Sequence, residues 1–174
     1  MGKSLSDIIQ LARKMETDGI KFYADAALKA ANPQAKRLFE SFSEDEERHL
    51  GIIGDIAKGI GVNVDDMSMP KESIQTAFSQ TDAQARERQQ VTADETRAIE
   101  IAMEMERDSY RVYQNAGSEA EDQTHKSLFG RLASEENQHY EMLENTQQYL
   151  GDTQKWFLWN EWGLLTGDLS SLGQ

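Results

Sequence analysis

From Ile9 to His49, residue n of this sequence finds its counterpart at n + 90, with no insertion or deletion between them. The matches are Ile9/Ile99, Ala12/Ala102, Met15/Met105, Glu16/Glu106, Asp18/Asp108, Tyr23/Tyr113, Leu38/Leu128, Phe39/Phe129, Glu46/Glu136 and His49/His139. Repetition at one fixed offset is the mark of a duplicated structural unit. The unit is helical. Ile8, Leu11, Ala12, Met15, Gly19, Phe22, Tyr23 and Ala26 recur at three- and four-residue steps, the period of one buried stripe on a helix. Asn32-Pro33 reads as an N-cap followed by proline at the first helical position, where its missing N–H costs nothing. The second stripe is Leu38, Phe39, Phe42, Leu50 and Ile53, closed by Gly59 and Gly61.

A third helix opens at the capping box Thr92-Ala-Asp-Glu95 and is expected to end at Gly117; Asp122 caps a fourth, which Gly151 ends. Two helical hairpins make an all-α four-helix bundle. The expected organisation is a bundle over 1–151, with repeat halves at about 5–61 and 92–151, and a C-terminal segment over 152–174. Residues 62–91 are polar and weakly periodic, contain Pro70, and are too long for an ordinary helix–helix turn, so they read as a long crossover, with a short helix around Lys71–Gln80.

Within this repeat lies a set of residues suited to metal. Glu46 and His49 are three apart, about 60° on one helical face, and so are Glu136 and His139. A single Glu-x-x-His on a charged helix is weak evidence. Here each pair also has a glutamate thirty residues earlier, Glu16 before Glu46 and Glu106 before Glu136. Thirty residues is about what a chain needs to climb one helix, turn and return to the same level. Glutamate fills 18 of 174 positions, so two histidines that each find glutamate at −3 and −33 are a coincidence of roughly one in ten thousand. Glu16 and Glu106 fall within apolar stripes, where a carboxylate is costly unless paired or metal-bound. Four such carboxylates together could not all stay ionised, whereas two divalent cations would balance them. Carboxylate oxygen with imidazole suits iron, and manganese as well.

One glutamate from each of two helices, plus Glu-x-x-His from each of the other two, is the ligand set of ferritin-like di-metal carboxylate proteins. On these residues the sequence resembles the rubrerythrin-like branch of the ferritin-like superfamily, over roughly residues 5 to 150. The resemblance implies that Glu46 and Glu136 bridge two iron ions, that Glu16 and Glu106 are terminal carboxylates, and that His49 and His139 each hold one ion. It departs from full rubrerythrins in two ways. The chain has no cysteine, so no rubredoxin-type iron site is carried on it. Rubrerythrin peroxidases usually carry a further glutamate three residues after the third-helix ligand; here that position is Ser109, and its counterpart is Gly19.

Tyr23 and Tyr113 follow Glu16 and Glu106 by seven residues, 20° short of two turns. They read either as hydrogen-bond partners of ligating glutamates or redox-active side chains, or as core aromatics with satisfied hydroxyls. Met15, Met103 and Met105 read as packing residues, and His125, with no glutamate in the pattern, as a surface residue near the start of the fourth helix. Trp156, Phe157, Trp159 and Trp162 read as a short helix capping the bundle or as a dimer contact.

The leading expectation is a di-iron oxidoreductase in which two Fe(II) ions together reduce O2 or H2O2, as a ferroxidase or as a rubrerythrin-like peroxidase with a separate electron donor, in oxidative stress or iron handling. The alternative is a bundle that stores, buffers or senses metal without turnover. A third is a structural bundle with vestigial or surface carboxylates. Basic residues number 18 against 31 acidic, a net charge of −13, which argues against nucleic acid or an anionic membrane as partner. No signal-like apolar stretch occupies Met1–Asp7, so the expected location is cytoplasmic, with a homo-oligomer, a dimer foremost. The tail Gly167–Gln174 weakly resembles those that load ferritin-like cargo into encapsulin shells.

Overall fold

The computed structural model describes residues 5–59 and 92–150. Within them four helices form: α1 (Leu5–Lys29), α2 (Pro33–Ala57), α3 (Ala93–Glu119) and α4 (Gln123–Leu150). The expectations for Gly61, for 62–91, for Gly151 and for the aromatic segment and tail lie outside the described residues.

The helix boundaries follow from local chemistry. Asn32 is extended, and its Oδ1 accepts from the N–H groups of Gln34 and Ala35, with Pro33 at the first helical position. Thr92 and Glu95 form the reciprocal capping box. Glu95 does more: while one carboxylate oxygen accepts from Thr92 N–H at 2.6 Å, the other accepts from Asn32 N–H at 2.7 Å. The start of the second hairpin is thereby fastened to the turn of the first. Asp122 Oδ1 accepts from His125 N–H at 2.9 Å, as an N-cap should. Gly59, at φ 70°, takes the left-handed conformation just beyond α2 that side chains resist.

Gly117 does not end α3, which runs on to Glu119 with Ala120 as its cap. Gly117 has no positive φ, and a glycine that keeps helical angles does not stop a helix. It is buried and faces the α4 backbone, with Gly130 N and Lys126 O each 3.5 Å from where a Cβ would stand. Leu50, expected within the α2 stripe, is half-buried. The face turned inward passes through Glu46, His49, Ile52, Ile53 and Ile56, and Leu50 sits at its margin.

α1 packs on α2 and α3 on α4, while α1 also meets α3 and α2 meets α4. The apolar core is split in two. One cluster holds Tyr23, Ala26, Leu38, Phe39, Phe42, Ile99, Ala102 and Leu143. The other holds Ile8, Ala12, Ile53, Tyr113, Ala116, Leu128, Phe129 and Leu132. Adding 90 to a residue of one cluster repeatedly lands in the other: Tyr23 to Tyr113, Phe39 to Phe129, Ala12 to Ala102, Ile53 to Leu143. The two hairpins are therefore related by a pseudo-two-fold axis. In every helix one cluster's residues precede the predicted ligand and the other's follow it, so the ligands occupy a layer between two apolar plugs. The starts of α2 and α3 share a cluster, so these helices run parallel. The end of α2 and the start of α3 stand a full helix apart, about 37 Å for 25 residues. The fold is a ferritin-like four-helix bundle.

Candidate metal centre

Glu16, Glu46, His49, Glu106, Glu136 and His139 are all buried, each at 5% exposure or less. They converge as two overlapping sets: Glu16, Glu46, His49 and Glu136 offer ligand atoms within 4.8 Å of one another, as do Glu46, Glu106, Glu136 and His139. Glu46 and Glu136 belong to both sets, so they stand where bridging ligands would. Each histidine turns Nδ1 inward. His49 Nδ1 lies 3.6 Å from Glu16, 3.4 Å from Glu46 and 3.3 Å from Glu136. His139 Nδ1 lies 3.5 Å from Glu106, 3.9 Å from Glu46 and 3.6 Å from Glu136. The rings stand 5.9 Å apart between centroids.

Buried polar atoms in folded proteins are nearly always hydrogen-bonded. Here Oε2 of Glu16, Oε2 of Glu106, both carboxylate oxygens of Glu136 and Nδ1 of both histidines have no hydrogen-bond partner. Six electron-pair donors gathered in one interior layer, with oxygen and imidazole chemistry and no sulfur, fit divalent iron or manganese. Without cations the layer is electrostatically costly. Burial, then repulsion from Glu136 and Glu16, pushes the Glu46 carboxyl well above its ordinary range. Burial and the Glu136 charge raise Glu106 to about 8. Burial disfavours the charge on Glu136 too, but His49 and His139 overcome it and hold that carboxyl low. Burial likewise works against protonated imidazoles, and the carboxylates around them, Glu136 for His49 and Glu106 for His139 foremost, raise both histidines well above their usual value.

The two tyrosines reach the layer from the apolar clusters. Tyr23 on α1 donates its hydroxyl to Oε1 of Glu106 on α3, and Tyr113 on α3 donates to Oε1 of Glu16 on α1. Both tyrosines are fully buried. Burial, with Glu106 beside Tyr23 and Glu16 beside Tyr113, raises both phenols well above their usual range, so they stay neutral donors. Of the two readings of the sequence, the geometry gives the bond to a glutamate of the layer, and the rings pack with Phe39, Phe42 and Phe129 as core aromatics besides.

Two residues of the site went unrecognised in the sequence. Glu135 and Asp45 lie behind the histidines. Nε2 of His49 is 2.8 Å from Glu135, and Nε2 of His139 is 3.2 Å from Asp45. With Nδ1 turned to the layer, the ring proton belongs on Nε2, where it donates to these carboxylates; such partners fix a ligating imidazole's tautomer and orientation. Arg48 donates to both, at 2.7 Å to Asp45 and 2.8 Å to Glu135. Arg131 adds a further bond to Glu135 at 2.8 Å. Burial opposes the charge on both acids, and their histidine and arginine partners outweigh it, holding both below the usual carboxylate range. The available signal was that 45 and 135 are themselves a repeat pair, both acidic, each just before a predicted bridging glutamate. His125 is only partly exposed, pairs loosely with Asp122 at 4.0 Å, and takes no part in the layer.

Among the described residues no helix is long and apolar enough to cross a membrane. The model of the rubrerythrin family matches residues 7–147, which spans all four helices and the connection between the hairpins. No solved structure matches the chain.

Proposed function

Because the chain belongs to the rubrerythrin family, we propose that it holds a di-iron centre on Glu16, Glu46, His49, Glu106, Glu136 and His139 and works as an oxidoreductase toward O2 or H2O2. The observation that carries this reading is the convergence of unpartnered buried oxygens and imidazole nitrogens on one layer. Two Fe(II) ions bound there would supply two electrons to one oxidant molecule while each goes no further than Fe(III). The chain's own residues do the rest. Glu46 and Glu136, present in both sets, would be shared between the two ions. Glu16 and Glu106 close the two ends, each kept in orientation by a tyrosine hydroxyl. Asp45 and Glu135 hold the imidazoles with Nδ1 inward, and the apolar clusters on both sides keep bulk water from the layer.

Between ferroxidase and peroxidase action, the ligand set supports the first. The only metal-capable clusters among the described residues are these two sets of four. Gly19 offers no side chain to the layer, a Cβ there standing 3.3 Å from Cγ of Glu46, and Ser109 occupies the corresponding position of α3, so neither place supplies a seventh carboxylate. Manganese is the other metal this donor set accommodates. Stopped-flow spectra of the Fe(II)-loaded protein mixed with O2 or with H2O2 test the reading. Faster oxidation by O2 supports a ferroxidase, and a much faster reaction with H2O2 supports a peroxidase. Iron bound without consumption of either oxidant supports storage or sensing instead.

A further inference from the structure

The pseudo-two-fold symmetry of the ligands does not extend to the residues behind them. Asp45 and Glu135 are a repeat pair, but the arginines that brace them are not. Arg48 corresponds to Gln138, and Arg131 corresponds to Ser41. Both arginines lean on the same acid. Glu135 receives His49, Arg48 and Arg131, while Asp45 receives His139 and shares Arg48. These contacts form one chain, His139–Asp45–Arg48–Glu135–His49, which Arg131 joins at Glu135, on the His49 side.

We infer that the two metal positions are unequal, with the ion beside His139 held more tightly than the ion beside His49, and that Arg131 is the positioning residue that makes them so. This rests on the di-metal reading above. A carboxylate behind a ligating histidine raises the basicity of the imidazole in proportion to the negative charge it has left to offer. The charge of Glu135 is divided among two guanidinium groups and His49. Asp45 meets one guanidinium, itself shared, and so passes more of its charge to His139.

One feature of the geometry points the other way: the His49–Glu135 contact is 2.8 Å and the His139–Asp45 contact 3.2 Å. Both lie within the normal span of N–H···O bonds, so the difference is one of degree within the same interaction. The larger difference is in the cationic partners, two guanidinium groups on Glu135 against one on Asp45.

Anaerobic calorimetric titration with Fe(II) reads the outcome. Two binding steps separated by about tenfold or more are expected, since partners behind ligating histidines typically shift metal affinity by ten- to a hundredfold. Arg131→Gln removes the charge and should tighten the weaker step several-fold, closing much of the gap, while Arg131→Lys should preserve it. A second measurement does not depend on variants folding: in crystals given one equivalent of Fe(II), anomalous scattering should place the ion beside His139. Two equal steps, an unequal pair unchanged by Arg131→Gln, or a first ion beside His49 would each overturn the inference while leaving the di-iron centre standing. No binding of Fe(II) at all would overturn both.

Discussion

The hydroxyl of Tyr23 donates to Oε1 of Glu106, so a side chain rooted in the first hairpin's core fixes a carboxylate of the second. Its mirror, Tyr113 to Glu16, runs in the opposite direction. Glu106 and Glu16 are thus each left with Oε2 as the unpartnered atom. Replacing Tyr23 with phenylalanine keeps the ring packing and removes only the donor. The variant should lose about 1–3 kcal/mol of stability, the range for a buried acceptor left unpaired, read from the urea midpoint. Its Fe(II) affinity should fall about tenfold, and Tyr113→Phe should behave alike.

Glu46→Gln separates binding from folding. Burial, then the Glu136 and Glu16 charges, hold the Glu46 carboxyl well above its ordinary range, so the metal-free fold favours its neutral form. A neutral amide of the same shape should then change metal-free stability by no more than about 1 kcal/mol. The same variant should lose most of the melting-temperature increase that Fe(II) gives the native chain, since that increase measures metal bound to the folded state. Scanning calorimetry with and without metal checks both halves.

The bundle and the six residues of the layer were legible in the sequence because each has a local or periodic signature. Asn32-Pro33 and Thr92–Glu95 are capping signals within four residues, and the 90-residue offset exposes Glu16, Glu46 and His49 together with their counterparts. Asp45 and Glu135 were not recognised, for a physical reason. On helices this acidic, a buried carboxylate behind a histidine looks like any solvated one, and their partners lie across the bundle on the other hairpin, His139 and His49. The same holds for Glu95, whose bond to Thr92 is a local motif but whose bond to Asn32 joins residues 63 apart. Gly117 looks like a helix stop in the sequence because residue type alone does not distinguish a glycine that bends the chain from one that lets two helices approach.

The metal-free protein should lose stability as pH rises through neutrality. Glu106 is raised from 4.5 to about 8, so between those values the folded state binds the proton the unfolded chain has released, and stability falls as pH climbs. His49 and His139, raised well above 6.5, act in the same direction: their contribution is complete below 6.5 and disappears as pH passes their folded values. Glu136 is shifted downward, and its contribution is lost only on strong acidification. Metal binding must expel these protons, so Fe(II) affinity should rise over the same interval. The gap between metal-bound and metal-free melting temperatures should therefore widen from about pH 5 to about pH 8.5.

Gly19→Ala tests how closely α1 must approach the layer. Alanine is favoured over glycine in a helix by about 1 kcal/mol, but its Cβ would meet Cγ of Glu46 at 3.3 Å and Cδ at 3.4 Å. Glu46 must shift by a few tenths of an ångström. The fold should survive, as judged by circular dichroism, while Fe(II) affinity drops several-fold. Gly51→Ala, on the exposed side of α2 with open space around its Cβ, should gain stability and leave affinity untouched.

The most direct measurement is the number of Fe(II) ions each chain retains at equilibrium under anaerobic dialysis, for the native protein and for the double variant Glu46→Gln/Glu136→Gln. A dinuclear centre bridged by those two glutamates predicts two ions per native chain and none held tightly by the variant. A native chain that retains no iron, or a variant that still holds two ions, would contradict it.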